Sequence, residues 1–238
     1  MIRFKSTFEK TLKPLFMKNN LLIAIAVLFC LTAATYGLVS TGSPATIADI
    51  GCPDEGKEKA GSKTLSAEKK EFNKRKNKSA AEPTEKPTVL SYAQLQNGRE
   101  KVDDKGNWKE GTYVELKDVY LIDYKEQKGE SCNCYQADSD KTKADIHLNI
   151  GDSLSFADKN NDYYMVVEIT PSYKALHKNV MDSLKLLKNQ KVTIRGYLFY
   201  DSEHERNSIN YCKTCTNTNV WRKSCWEIHP ITYIGKSK

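Results

Sequence analysis

Three of the four histidines stand beside carboxylates, two of them in segments that read as strands and His204 just past one. Asp145 and His147 are spaced i, i+2, as are Glu227 and His229; Glu168 lies in V-V-E-I-T-P, and Asp201 and His204 lie in Y-D-S-E-H. Successive side chains on a strand alternate faces, so each i, i+2 pair shares one face. Imidazoles and carboxylates are the ligand set of zinc, manganese or iron. An ion held there could activate water for hydrolysis. The same seven residues also fit a second account, in which outer strand faces are polar because water covers them and His/carboxylate neighbours are ordinary cross-strand pairs. No G-x-S-x-G, P-loop, dinucleotide-binding glycine pattern or H-E-x-x-H occurs, so no motif specifies a reaction by itself and no cofactor follows beyond a candidate zinc or manganese ion.

Sulfur is the other chemistry. Cys132 and Cys134 form E-S-C-N-C, Cys212 and Cys215 form C-K-T-C, and Cys225 follows ten residues later. Outside the cytoplasm the default for such residues is a disulfide. A bridge within C-x-C is strained, so the expectation is a loop-to-loop pair, Cys132 or Cys134 with Cys212, Cys215 or Cys225. A zinc site of four thiolates is the alternative, and unpaired thiols the third. Cys52, in G-C-P-D-E-G, has no partner that the sequence identifies.

These residues must be carried by five strands and one helix. Thr112–Lys125 alternates with a shift of parity between Leu116 and Val119, the mark of a bulge or bend. Ala144–Ile150 and Asp162–Thr170 alternate next, and Pro171 ends the third strand. Tyr173–Lys188 places Tyr173, Leu176, Val180, Leu184 and Leu187 on one helical stripe. Lys191–Asp201 is the fourth strand and Trp226–Ile234 the fifth, with Trp226, Ile228 and Ile234 inward, Glu227 and His229 outward, and Pro230 at an edge or bulge. Three strands, a helix and two strands, with long loops after the first and fourth strands, is the order of an OB-fold, a five-stranded barrel; an open α+β sheet is the competing arrangement. Tyr197, Phe199 and Trp221 are candidate aromatic residues of a binding face, although aromatic residues at such positions also serve as core or rim packing.

D-I-H-L, V-V-E-I-T-P, V-T-I-R-G-Y-L-F-Y-D-S-E-H and W-E-I-H-P-I-T, in this order over about Thr112–Ile234, resemble a group of uncharacterised bacterial OB-fold domains. The resemblance implies a fold. It implies no activity, and C-K-T-C has no place in its pattern.

The N-terminal third differs in kind. Residues 1–20 are basic, and Leu21–Val39 contains no charged residue. Nineteen residues rising about 1.5 Å each just cross a hydrocarbon core of roughly 30 Å. The basic flank lies before this segment, which predicts a single-pass anchor in a bacterial inner membrane, with a cytoplasmic N-terminus and a periplasmic remainder. A cleaved signal peptide is the alternative. Residues 40–87, rich in Lys, Glu, Ser, Ala and Pro, read as a disordered tether, which leaves residues 88–238 as the folded domain.

The formal charge of +7 comes from the N-terminal tail and the tether: residues 57–86 hold ten Lys/Arg against five Glu, whereas 88–238 is close to neutral. A near-neutral domain is a poor footprint for nucleic acid. The expected partners are therefore the membrane, through residues 21–39, and an envelope-associated protein or glycan. The sequence favours a binding module over an enzyme, with a metal-dependent hydrolase, such as a phosphodiesterase or nuclease, as the alternative and a single-strand nucleic-acid binder behind it.

Overall fold

The structure, a computed structural model, describes residues 51–97, 109–154, 164–210 and 220–238. The expected anchor at 21–39 lies outside these residues, and among the described residues no helix is long and apolar enough to cross a membrane.

Six strands form the sheet: β1 (Thr88–Leu90), β2 (Tyr113–Glu126), β3 (Ile146–Gly151), β4 (Met165–Ile169), β5 (Lys191–Tyr200) and β6 (Trp226–Lys236). β2 to β6 close into an OB-like barrel in the order β2-β3-β4-β6-β5, with β5 pairing back to β2. All neighbours within the barrel are antiparallel except β4 and β6, which meet in parallel at Val167 and Ile228. One long strand serves two neighbours because β2 bends. Its N-terminal half pairs with β5 and its C-terminal half with β3. The expected parity shift is the register break between Leu116 and Val119, where Asp118 adopts φ 58°. Inside the barrel Leu116, Leu121, Leu148, Val167, Ile194 and Trp226 are wholly buried. Each such side chain contributes about 1.5–3 kcal/mol by leaving water.

The last strand contains its own irregularity. The His229–Pro230 bond is cis, and the β5–β6 register shifts on both sides of Gly196. A Cβ on Gly196 would lie 2.4 Å from the Pro230 carbonyl oxygen, so only glycine lets β5 pass this bulge. The shift puts Ile231 in the core, while Ile234, expected inward, is only partly buried.

Two further expectations change. The single helix over 173–188 is two, α3 (Pro171–Leu176) and α4 (Val180–Leu187). They break at Asn179, which takes the left-handed conformation at φ 63°, a state that asparagine tolerates better than most residues. Tyr173, Val180 and Leu184 keep their buried stripe, but Leu176 is exposed.

The larger difference concerns the tether, since residues 51–87 are folded onto the barrel. They include α1 (Ala67–Lys76), and a short α2 (Tyr92–Asn97) follows β1. Ser66 caps α1 by accepting from Lys69 N, Glu68 lies in its first turn, and Lys74, Arg75 and Lys76 fill its last; all three features suit the helix ends and dipole. Composition hides this helix because its buried side is Phe72, Asn73 and Lys76, one apolar residue and two polar ones. Phe72 meets Phe199 edge-on at 5.3 Å. The segment before the helix is held too: Cys52 is bonded to Cys134, and Gly56 at φ 71° lies so close to the Ser131 carbonyl that a Cβ would sit 2.1 Å from its oxygen.

Candidate functional site

The polar constellation is not on an open surface. Asp145, Glu168, Asp201, Glu227 and His229 are all buried. They do point out of the barrel, as period-two alternation requires, but α1 lies across that face. The expectation of a solvated face therefore fails for these five residues: Lys76 of the segment expected to be disordered lies against Glu168 and His229, Asn133 of the first long loop against Asp145, and Arg222 against Asp201 and Glu227.

At the centre is Glu168 on β4. Its Oε1 lies 2.6 Å from His147 Nε2 on β3, its register partner, and its Oε2 lies 2.6 Å from His229 Nδ1 on β6. Despite these distances the groups are not aligned as hydrogen bonds. His147 Nε2, Glu168 Oε2, Glu227 Oε1 and His229 Nδ1 are buried atoms with no aligned partner. On its other side, His229 Nε2 lies 3.0 Å from the Lys76 carbonyl oxygen of α1. A carbonyl only accepts, so Nε2 carries the proton. Burial alone would raise the Glu168 carboxyl; His147, Lys76 and His229 overcome it and hold Glu168 well below the usual carboxylate range.

Glu227, wholly buried, has the opposite balance. Burial and the nearby Glu168 push its carboxyl well up against the pull of Arg222. Arg222, absent from the sequence-derived candidates, is fully buried and links two of them. Its Nη2 lies 3.2 Å from Glu227 Oε2 and its Nη1 3.0 Å from Asp201 Oδ2, while Nε donates to the Ser224 carbonyl at 2.8 Å. Asp201 also contacts His204 Nδ1. The ring of His204 stands edge-on to Trp221 at 5.6 Å. Asp201 and His204 thus form a separate pair, joined to the Glu168 group through Arg222.

Asp145 belongs to a second group, with Glu130 and Cys132. Here the polar atoms have partners. Lys76 Nζ is 3.0 Å from Glu130 Oε2, Cys132 Sγ is 3.5 Å from the same oxygen, and Asn133 Nδ2 is 3.4 Å from Asp145 Oδ2. Burial pushes the Cys132 thiol well up, which disfavours the thiolate that a metal would need. Lys76 and Glu130 are the residues that sequence reasoning missed here. Both fall in segments that read as tether or loop, and nothing in their spacing marks them.

The cysteines differ from expectation as well. Cys134 pairs with Cys52, not with the second long loop. Cys132 and Cys225 are buried free thiols, and Cys212 and Cys215 lie outside the described residues. The loop-to-loop expectation fails because the segment that carries Cys52 is docked on the barrel and brings its thiol to Cys134. Among the aromatic candidates Phe199 is covered by Phe72 and Tyr197 is nearly buried, with Lys78 Nζ 3.5 Å from its ring centroid; Trp221 is exposed. The three therefore do not form one open stacking platform.

Two residue sets have donor atoms close enough to hold an ion: Glu168, Glu227 and His229, and Glu130, Cys132 and Asp145. No family model matches the chain, and no curated protein and no solved structure matches it.

Proposed function

We propose that the chain is a single-pass protein of a bacterial inner membrane, anchored by residues 21–39, whose periplasmic OB-like barrel binds an envelope-associated protein or glycan. The observation that favours binding over catalysis is the burial of the His/carboxylate cluster. Glu168, Glu227 and His229 are at most 2% exposed, so a substrate has no approach to them while α1 is docked. Catalytic groups need an accessible site with room for the reacting atoms. The open surface is elsewhere. A groove of about 420 Å³ is lined by Pro83, Pro87, Val89, Tyr113 and Arg195 among others. Val89, on the short strand β1, is 64% exposed, and a short edge strand with an exposed apolar residue is a place where an extended partner can add.

The hydrolase remains the second reading, favoured by the convergence of two histidines on Glu168. It requires α1 to lift. The test uses the full chain in its membrane, with a photo-crosslinking residue at Val89 or at Leu186, an exposed position on α4. A discrete adduct with an envelope protein or glycan from position 89 and not from 186 is the expected result. The binding reading is overturned by metal-dependent phosphodiester turnover that Glu168→Gln abolishes, or by the same labelling pattern at both positions.

A further inference from the structure

We propose that Glu168, Glu227 and His229 bind one divalent transition-metal ion, zinc first among them. The inference is independent of the binding role above, and a failure of either leaves the other standing.

His229 has a defined tautomer. Its Nε2 donates to the Lys76 carbonyl at 3.0 Å, which leaves Nδ1 as the ring atom that could serve as a ligand. That nitrogen faces Glu168 Oε2 at 2.6 Å. Both are atoms of the kind that ligate a metal ion, and they stand together in the buried interior. The two are not aligned as a hydrogen bond. His147 Nε2 repeats the pattern against the other Glu168 oxygen, again at 2.6 Å and again unaligned. Glu227 Oε1 is the fourth buried atom without an aligned partner. Three of these atoms, Glu168 Oε2, Glu227 Oε1 and His229 Nδ1, belong to residues whose donor atoms lie within 4.8 Å of one another. Leaving a buried polar atom without a partner is costly, so three on residues that converge point to a shared ligand.

The supporting contacts have the form that metal sites use. A ligating histidine commonly donates its other N–H to a carbonyl or carboxylate, and a ligating carboxylate is held by a second hydrogen bond. His229 has Lys76 O, and Glu227 has Arg222 Nη2 on its other oxygen at 3.2 Å. One imidazole and two carboxylates suit zinc, with manganese and iron as the competitors of the same class. The group of Glu130, Cys132 and Asp145 makes a useful contrast: it is equally rich in ligands, but none of its side-chain atoms is among those left without a partner.

The ion would also tie α1 to the barrel. His229 is at once a ligand and, through its hydrogen bond to Lys76 O, an anchor of α1, so orienting its ring fixes the last turn of that helix.

The test is metal analysis of the full 238-residue chain, purified in mild detergent without chelator, together with thermal unfolding. About one equivalent of zinc, manganese or iron is expected, and a hundredfold excess of the preferred ion over its Kd should raise the unfolding midpoint of the metal-stripped chain by roughly 5–10 °C. Cobalt in place of the native ion should give visible absorption bands that are lost in His229→Ala. Glu227→Gln keeps the shape of the side chain and should lose the metal, whereas Cys132→Ser should retain it. Should Glu227→Gln fail to fold, the cobalt spectrum of His229→Ala and the titration of the wild type carry the decision. Less than about 0.1 equivalent of metal in the folded wild type, with no shift of its midpoint by any of these ions, overturns the proposal. Retention by Glu227→Gln with loss in Cys132→Ser overturns the choice of ligands.

Discussion

Lys76 Nζ lies 3.0 Å from Glu130 Oε2 and 3.7 Å from Glu168 Oε2, with only 6% of its side chain exposed. A helix from the N-terminal segment thus places its one buried ammonium between two carboxylates of the barrel and its first long loop. Burial opposes that charge, but Glu130 and Glu168 more than compensate and keep Lys76 protonated. Removing one member of a buried ion pair strands the other, at a cost of about 3–5 kcal/mol. Lys76→Met should therefore destabilise the domain by about 3 kcal/mol in urea unfolding. Lys74→Met, two residues away on the same helix but half exposed in its pair with Glu55, should change stability by less than about 0.5 kcal/mol. Equal effects would mean that α1 is not docked as described.

The contrast between those two lysines shows what was legible. The barrel was, because alternation, a parity shift in β2 and loop positions are all local patterns, and the inward residues Leu148, Val167 and Trp226 follow from them. The clustering of Glu168, Glu227 and His229 was legible as a shared outer face. Their burial was not. The cover is a helix with one apolar residue on its buried side, and Lys76 reads as a solvated charge until Glu130 and Glu168 are seen around it. Binary patterning detects helices that bury an apolar stripe; it is blind to one held by a disulfide, a carbonyl contact and ion pairs.

The Cys52–Cys134 bond joins residues 82 apart in sequence. Constraining a loop of that length in the unfolded chain contributes about 2–5 kcal/mol. Non-reducing peptide mapping should recover Cys52 and Cys134 as one linked pair. Cys132 and Cys225, at 3% and 2% exposure, should resist alkylation until the chain is unfolded. Cys52→Ser should lower stability by about 2–4 kcal/mol and speed amide exchange in α1 before it affects β4. A map that joins Cys134 to another cysteine would refute this pairing.

Acid should act through Asp201. Burial by itself would raise this carboxyl, but His204 and Arg222 hold it below the usual range. A group whose folded value is depressed stabilises the fold fully above its unfolded pKa, near about 3.9, and the contribution fades as pH falls toward the folded value. Between about pH 5 and pH 2 the wild type should lose stability progressively. Asp201→Asn should start less stable at neutral pH and show a shallower slope across that window, as followed by urea midpoints at several pH values. Parallel slopes for the two proteins would remove Asp201 from the account.

Glycine supplies the sharpest test of how the N-terminal segment is seated. Gly56 and Gly61 both have positive φ, 71° and 80°, so alanine is strained at either. The left-handed conformation costs an ordinary residue about 1–2 kcal/mol. Only at Gly56 is there also a collision. A Cβ there would lie 2.1 Å from Ser131 O and 2.5 Å from Asn73 Nδ2, whereas at Gly61 nothing lies within 4 Å. The obstructing oxygen is backbone, in the loop that carries Cys132 and Cys134, and cannot swing aside. The Asn73 amide is committed as well, donating to the Glu55 carbonyl at 2.8 Å. Gly61→Ala should therefore lower stability by about 1 kcal/mol and leave α1 protected from exchange. Gly56→Ala should loosen residues 51–76 and expose α1 to protease while the barrel strands stay protected, because the collision lies at the docking surface and not in the core. Hydrogen exchange by peptide separates the two outcomes, and equal protection of α1 in both variants would show that the close approach of Gly56 to Ser131 does not hold the segment in place.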